Sequence, residues 1–371
     1  MDELGLLKKL AFLLSMPGIT LLVLLPLYIK EMGGSSELIG IASSVGPLSF
    51  AIIRLIGGAA SDVFGRKNTF VVGTILYTLG LLVLALAPNA DVVALGGSLC
   101  GAGAMLTMTS AIVIVADLTG SPNTYGELTS AMALGGIVGS IIPLTIINVM
   151  GNEGFRLSFI IYFLIALYAS ILSLKLPETK PKEARASFEF SWEWLLAVIA
   201  GSLVGFASGL ITPFFPVYVK EKFGVDVTGV MIAYSPSAVG AVLGPRLAGY
   251  MEPLITLFAF NVLGSLGSIA IVLNGLATAS LGFALVTAAV GASSVAQDSL
   301  VAKGCKSSCG LMVGLYSAIT QGIMGLGSLY GGFIFSQSKE AIFLYSSLSL
   351  FMAALVALVA SAFTSLRGLS R

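Results

Sequence analysis

The sequence predicts an all-α membrane protein whose twelve transmembrane helices form two pseudo-symmetric six-helix bundles. Three observations support this prediction. First, 57% of the 371 residues are hydrophobic and only 10% are charged, with a mean hydropathy of +1.00; soluble domains carry about 25% charged residues. Second, apolar runs recur at about the length that a helix needs to cross a bilayer. Third, short motifs in the first half of the chain recur in the second half.

The first half of the chain contains six apolar runs separated by Gly, Pro or charged residues. Each run is predicted to be a helix, because backbone polar groups inside a bilayer must be hydrogen bonded within the segment. These spans one to six are residues 10–29, 37–60, 68–87, 92–116, 127–149 and 156–176. Together they define an N-terminal bundle, residues 1–176.

The second half follows the same plan after a polar segment. Residues 177–193 contain Lys180, Lys182 and Arg185 and are predicted to be a cytoplasmic linker. Spans seven to twelve follow at 194–219, 227–250, 254–273, 279–301, 309–334 and 341–366. They define a C-terminal bundle, residues 194–371.

Ordered sequence matches indicate that the two halves arose by duplication. The motif PLYIKE, Pro26 to Glu31, recurs as PVYVKE, Pro216 to Glu221. Further matches in the same order are Pro47 with Pro236, Arg54 with Arg246, and Asp117 with Asp298. One short match could arise by chance, but a series of matches in the same order favours a repeat.

Basic residues predict the orientation of the chain in the membrane. If both termini are cytoplasmic, thirteen Lys and Arg residues lie inside, five lie outside and Arg54 lies within a span. Cytoplasmic loops are enriched in Lys and Arg, so this topology is favoured over the reverse. We therefore expect a multi-pass protein of the cell membrane with both termini in the cytoplasm.

A polar hairpin between spans two and three carries the most specific motif in the chain. It resembles the loop of the major facilitator superfamily whose pattern is G-x-x-x-D-x-x-G-R-K. The matching residues here are Gly58, Asp62, Gly65, Arg66 and Lys67. The resemblance extends over the whole chain and implies a transporter in which two six-helix bundles rock to expose a central site alternately to each side.

The resemblance also implies a gating role for these charges. Asp62 would lie near the start of span eleven, where a helix N-terminus favours an anion. Arg66 would pair with Asp117 at the end of span four, and Asp298 is the counterpart of Asp117 in the second half. The simpler alternative is that the hairpin charges only fix the topology.

In the resembled family, spans one, four, seven and ten line the substrate cavity. Candidates for substrate contact are therefore Met16, Met105, Thr107, Met108, Phe206, Ser208, Thr212, Phe215, Ser294 and Gln297. Methionine and aromatic side chains suit an adaptable, mostly apolar pocket. Each of them could equally be a packing residue. This set favours a small amphipathic or apolar compound that is exported.

Two arginines suggest an alternative substrate. Arg54 in span two and Arg246 in span eight could bind a small anion together through forked hydrogen bonds. The chain departs from the drug-antiporter pattern of the family in span five, where Gly135 and Gly139 fit but Ser140 replaces the expected proline.

Several functions are disfavoured by what the sequence lacks. It contains no histidine, and no carboxylate lies near the middle of a span, so proton coupling would have to use groups near the cytoplasmic surface such as Asp62, Asp117, Glu127 or Asp298. No motif indicates an enzyme or ATP binding. The expected partners are a small-molecule substrate and membrane lipid; a coupling ion, H+ or Na+, is left open. We expect a monomer without cofactor, metal or nucleic acid.

Both tryptophans, Trp192 and Trp194, lie just before span seven. Because aromatic rings favour the headgroup region, we expect them to anchor the helix at the membrane interface.

Overall fold

The structure is a computed structural model that describes residues 3–118, 122–151, 153–179, 191–304 and 309–369, without the side chains of residues 19, 54–64, 116, 122–126, 129, 148, 309–311 and 363–369. Within these ranges the chain is helical and contains no strand. The helices are α1 (Glu3–Glu31), α2 (Ser36–Phe64), α3 (Arg66–Leu86), α4 (Ala90–Leu118), α5 (Pro122–Met150), α6 (Glu153–Ser173), α7 (Trp192–Ile211), α8 (Phe215–Phe223), α9 (Val227–Tyr234), α10 (Pro236–Ala248), α11 (Pro253–Val272), α12 (Leu276–Gly304), α13 (Cys309–Gln337) and α14 (Ala341–Leu369).

The described helices provide twelve segments long and apolar enough to cross a membrane. Spans one to six correspond to α1 to α6, and spans nine to twelve to α11 to α14. The helices extend beyond the predicted spans: α12, for example, has 29 residues, or about 43 Å at 1.5 Å per residue, against a hydrocarbon core of about 30 Å. Apolar composition marks only the part within hydrocarbon, whereas the hydrogen-bonded helix continues into the headgroups.

Spans seven and eight are each broken into two helices by prolines. Span seven is interrupted between Ile211 and Phe215, where Pro213 and Pro216 cannot donate backbone hydrogen bonds to the preceding turn. At the break in span eight, the Ile232 carbonyl, deprived of a donor by Pro236, accepts from the Ser235 hydroxyl at 2.8 Å. Span one is continuous despite Pro17 and Pro26. The two halves therefore differ in helix continuity.

The chain divides into two compact units, Met1–Glu183 and Ala184–Arg371. In the first unit, α1 packs on α5, α4 on both α2 and α3, and α3 on α6. In the second unit, α7 packs on α13, α12 on both α10 and α11, and α11 on α14. When the helices are numbered by span, adding six to each span number of the first unit gives the helix pairs of the second unit. Each unit thus has the same internal packing, as a duplication requires.

The repeated tyrosines occupy equivalent environments. Tyr28 of PLYIKE stacks on Phe155, with ring centroids 5.1 Å apart. Tyr218 of PVYVKE packs on Phe343, with centroids 4.6 Å apart. Phe155 and Phe343 lie near the starts of spans six and twelve. The sequence repeat therefore marks a repeated aromatic contact.

Glycines allow close helix crossings in both units. A Cβ at Gly135 or Gly139 of α5 would collide with the Phe12 or Met16 carbonyl of α1. In the second unit, a Cβ at Gly209 of α7 would collide with a carbonyl of α13. Small residues let membrane helices approach to backbone contact. These crossings pair span one with five and seven with eleven.

Hydroxyl and amide groups link helices inside each unit. Thr78 and Ser170 join α3 to α6 at 2.8 Å, and Ser265 and Ser347 join α11 to α14 at the same distance. Asn261, which lies mid-span, accepts from Ser293 of α12 at 3.2 Å. Such bonds stabilise helix association in the membrane by about 0.6–2 kcal/mol each.

The interfacial role predicted for the tryptophans is contradicted for Trp194 and stays a prediction for Trp192. Trp192 is 47% exposed. Trp194 is 4% exposed and its indole N–H donates to the Met312 carbonyl at 2.9 Å. Its prediction was wrong because a helix turns about 100° per residue, so residues two apart point to different faces.

Candidate functional site

The first unit contains a nearly buried ion pair at the end that the charge distribution predicts to be cytoplasmic. Arg66 Nε lies 3.0 Å from Asp117 Oδ2, with 7% and 11% of the two side chains exposed. Arg66 is the first residue of α3, and Asp117 lies in the last turn of α4. Because burial weakens competition from water, such a pair is held far more firmly than a surface pair. The contact joins the hairpin to span four.

Glu178 and Thr179 contact the hairpin and the ion pair. They follow span six and belong to the predicted linker. Thr179 Oγ1 donates to the same Asp117 Oδ2 atom at 2.8 Å. The Glu178 carboxylate accepts from the Lys67 backbone N–H at 3.4 Å. These contacts join residues that are far apart along the chain, so no sequence pattern predicts them. Only the folded structure shows that they form.

Gly65 allows this arrangement. Its φ of 83° and ψ of 148° form a combination that is accessible essentially only to glycine. A Cβ there would also lie 2.7 Å from a Glu178 carboxylate oxygen. Gly65 therefore turns the chain sharply into α3 and leaves space for the carboxylate.

The structure describes only one of the remaining hairpin residues predicted to act in gating, Lys67, together with its side chain. The side chain of Asp62, and the position of Gly58 against its neighbours, lie outside the described residues, as does the predicted approach of Asp62 to the start of α13. Lys67 is half-buried. A gating role for these residues stays a prediction.

Asp298 differs from its counterpart Asp117. It lies six residues before the end of α12, about 9 Å along the helix axis. Its side chain is exposed, and within the described ranges it forms no ion pair or hydrogen bond, although Tyr316 is an electrostatic neighbour. Arg66 is the first residue of α3, and the first residue of the equivalent helix α11 is Pro253. In the described part of the second unit, no cation takes the place that Arg66 has beside Asp117.

The second half of α12 carries exposed polar groups on one face. Ser294 and Asp298 lie about one helical turn apart, and both are exposed. Leu281 and Leu285, 62% and 40% exposed, lie on a different face of the helix. Charged groups inside membrane spans almost always face a protein interior or a water-filled cavity. The face with Ser294 and Asp298 therefore suits an aqueous pathway.

The other residues predicted to contact substrate differ widely in exposure. Met108 is exposed, Thr107 and Ser208 are buried, and Met16, Met105, Phe206 and Thr212 are half-buried. Phe215 has no exposed surface and stacks on Phe283, with centroids 4.0 Å apart. Gln297 is 4% exposed and accepts from the Tyr316 hydroxyl at 2.7 Å. In this structure Phe215 and Gln297 are packing residues of the second unit, so substrate contact by either stays a prediction.

The two arginines predicted to bind an anion are not shown together. The Arg54 side chain lies outside the described residues. Arg246 is exposed in the last turn of α10. Arg246 therefore lies near a helix end rather than deep within the span.

A cavity that the sequence does not predict lies at the opposite end of the first unit. It has a volume of about 400 Å³ and is lined by the α1–α2 turn and the start of α4, including Glu37 and Asp91. Both acids lie in the first turn of their helices, where they complement the helix dipole. That role accounts for them without a ligand.

Comparison with known proteins gives a consistent family. The family model described as "Major Facilitator Superfamily" matches residues 10–308. Quinolone resistance protein NorA of Staphylococcus aureus is 22% identical over 240 residues, a match that covers 61% of this chain and 61% of NorA. Multidrug resistance protein 1 of Bacillus subtilis is 24% identical over 231 residues, covering 58% of each chain.

A solved structure resembles the chain over nearly its full length. It is a bacterial homolog of the human lysosomal transporter Spinster, in an inward-facing and unoccupied conformation. The TM-score is 0.71 at 14% identity, covering 97% of this chain and 95% of the other. At this identity the likeness shows a shared fold.

Proposed function

The chain belongs to the major facilitator superfamily, and we propose that this transporter exports small amphipathic or apolar organic compounds from the cell by alternating access. The family assignment makes the chain a multi-pass membrane transporter and not an enzyme. The substrate class, the direction and the coupling are the proposal. We also propose that both termini lie in the cytoplasm, as the distribution of Lys and Arg favours.

The similarity to two resistance proteins supports export of organic compounds. NorA is named for quinolone resistance and the Bacillus protein for multidrug resistance. The match covers less than two thirds of either relative. Exposed Met108 and half-buried Met105 on α4 fit an apolar ligand of variable shape, because methionine adapts to irregular surfaces.

The observation that supports the coupling mechanism is that the Asp298 carboxylate has no ion pair or hydrogen bond among the residues that the structure describes. Of the other acids predicted to be available for coupling, Asp117 pairs with Arg66, Glu127 pairs with Lys8 at 2.9 Å, and the Asp62 side chain lies outside the described residues. A carboxylate without a cation inside a membrane span is costly to keep ionised. We propose that Asp298 takes up a proton in exchange for outgoing substrate, so that the proton gradient drives export.

Proteoliposomes that contain the purified chain test both parts of the proposal. Uptake of norfloxacin or ethidium should saturate, show counterflow, and rise when the vesicle interior is made acidic. D298N should lose the gradient-driven component and keep counterflow, because exchange of substrate for substrate needs no net proton movement. E127Q, which breaks only a surface ion pair, should keep both activities.

The outcomes separate the two claims. If no tested compound shows saturable uptake, the exporter proposal is wrong. If D298N transports as wild type does under the gradient, coupling through Asp298 is wrong even though export stands. The anion alternative, in which Arg54 and Arg246 bind the substrate, stays a prediction.

A further inference from the structure

Lys9 of α1 and Tyr168 of α6 form a pair of hydrogen-bond donors on the exposed surface of the first unit. The Lys9 ammonium donates to the Tyr168 hydroxyl oxygen at 3.2 Å and lies 5.4 Å from the centre of the same ring. Both side chains are exposed. An ammonium has three N–H donors, and a tyrosine hydroxyl that accepts a hydrogen bond keeps its own O–H donor. The pair can therefore donate further hydrogen bonds to one acceptor on the outside of the helices.

The charge of Lys9 is not balanced as that of its neighbour is. Lys8 forms an ion pair with Glu127 at 2.9 Å, whereas Lys9 has no carboxylate partner among the described residues. Lys175, two residues beyond the end of α6, is also exposed and forms no ion pair in the described ranges. The predicted cytoplasmic end of α1 and α6 therefore presents two ammonium groups that suit an anion.

An apolar stripe continues from Tyr168 toward the middle of the membrane. Tyr168 lies five residues before the end of α6, about 7.5 Å along the axis, and tyrosine favours the headgroup region. The same side of α6 carries exposed apolar side chains at intervals of three or four residues, Leu167, Leu164 and Ile160. They extend about 12 Å from Tyr168. An acyl chain can lie along this stripe while its headgroup lies at the Lys9–Tyr168 pair.

The helix packing does not require this pair, because the second unit does without it. Counting back equally from the matched tyrosines of the two halves leads from Lys9 to Ile199. Counting forward equally from the phenylalanines on which these tyrosines pack leads from Tyr168 to Val356. Span seven nevertheless packs on span twelve, as span one packs on span six. The polar pair of the first unit therefore indicates a role other than packing.

We propose that Lys9, Tyr168 and Lys175 bind an anionic phospholipid such as phosphatidylglycerol, in the leaflet that the predicted topology makes cytoplasmic. Lys9 and Tyr168 donate to phosphate oxygens, and an acyl chain lies on the stripe of α6. Lys175 adds attraction for a net negative headgroup and disfavours one that carries its own cation, since basic residues at the membrane surface attract anionic lipid. A free phosphate ion would make no use of the stripe, so the occupant is a lipid. This binding does not depend on the identity of the transported compound.

Native mass spectrometry of the full chain in detergent, with added phosphatidylglycerol or phosphatidylcholine, tests the site. The wild type should bind phosphatidylglycerol about fivefold more tightly, as expected for one basic group near the headgroup. K9Q and Y168F should each weaken phosphatidylglycerol binding about two- to tenfold, as expected for the loss of one hydrogen bond. K9R keeps the charge and should keep the preference. Melting temperatures without added lipid should be unchanged; should K9Q lower its own, Y168F decides, because it removes one oxygen atom only.

K303Q and Y345F are the matched controls, because Lys303 in the last turn of α12 and Tyr345 of α14 are also exposed. Both should bind phosphatidylglycerol as the wild type does. If K303Q weakens binding as much as K9Q, the lipid is held by net charge and the proposed site is wrong. Equal binding of the two lipids by the wild type would contradict the charge argument. If inorganic phosphate displaces phosphatidylglycerol, the site recognises a free anion, and the role of the stripe is wrong.

Discussion

Gly65 combines two constraints at a single residue. Its backbone angles fall where side chains are strained, and the space beside it is occupied by the Glu178 carboxylate. The motif therefore requires glycine at this place for a backbone reason and a packing reason together. The neighbouring Arg66 depends on it, because Gly65 sets the direction in which α3 begins.

Replacing Gly65 by alanine should destabilise the protein by about 1–3 kcal/mol, the usual cost of a side chain in this backbone region. Thermal unfolding in detergent measures the change. G314A serves as the control, because nothing lies within 4 Å of a Cβ at Gly314 in α13. An equal effect of the two substitutions would contradict the strain argument.

Asp117 and Asp298 show how sequence-equivalent residues acquire different chemistry. The former has two donors on one oxygen, whereas the latter has neither an arginine nor a threonine beside it in the described part of the second unit. A group that is already neutralised by a cation resists protonation, and a group without one accepts a proton more readily. For this reason we propose coupling for Asp298 and gating for Asp117.

At the scale of helices, the crossing of α1 and α5 depends on glycine more than any polar contact does. Gly135 and Gly139 face the carbonyls of Phe12 and Met16 so closely that a methyl group does not fit. Tyr162 adds a hydrogen bond to the Gly139 carbonyl at 2.9 Å. The helices are held by close packing, since lipid tails are as apolar as the side chains and give no hydrophobic drive.

We expect G139V to separate α1 from α5 and to cost about 1–3 kcal/mol or more through overpacking. Its yield of monodisperse protein and its melting temperature should both fall. S140A should have little effect, because the Ser140 hydroxyl bonds only to Ile137 of its own helix at 2.7 Å. A normal melting temperature for G139V would mean that the crossing can relax.

The break that divides span seven into α7 and α8 distinguishes the second unit from the first. Two prolines three residues apart remove two hydrogen-bond donors from one turn, whereas the prolines of α1 are nine residues apart and the helix continues. Beyond the break, Lys222 at the end of α8 donates to the Val272 carbonyl at 2.8 Å. The short helix is thus attached to the end of α11.

At the scale of the whole molecule, what the two halves share is the set of helices that pack together inside each unit. Apolar clusters near the predicted cytoplasmic ends use spans one, three, four, five and six in the first unit, with Leu7, Phe70, Ile114, Leu128 and Leu172 among their residues. The second unit uses spans seven, nine, ten, eleven and twelve, with Trp194, Leu257, Leu300, Met312 and Ala357. The residues changed while the set of contacting helices stayed the same.

Orientation is a property of the whole chain and can be tested directly. In a cysteine-free background, S338C on the predicted outer loop should react with a membrane-impermeant maleimide in intact cells. Y250C, exposed on a predicted cytoplasmic turn, should react only after permeabilisation. The opposite pattern would reverse the predicted topology and place the Arg66–Asp117 ion pair outside.

The sequence by itself determined the twelve spans, the duplication and the family, because these depend on apolar length, ordered repeats and a motif whose residues are adjacent along the chain. It could not predict that Glu178 and Thr179 meet Arg66 and Asp117, that Trp194 is buried, or that Phe215 is a packing residue. Those features depend on which helix faces meet, and such contacts join residues that are far apart in sequence. Only the tertiary structure decides them, since each results from the packing of several helices at once.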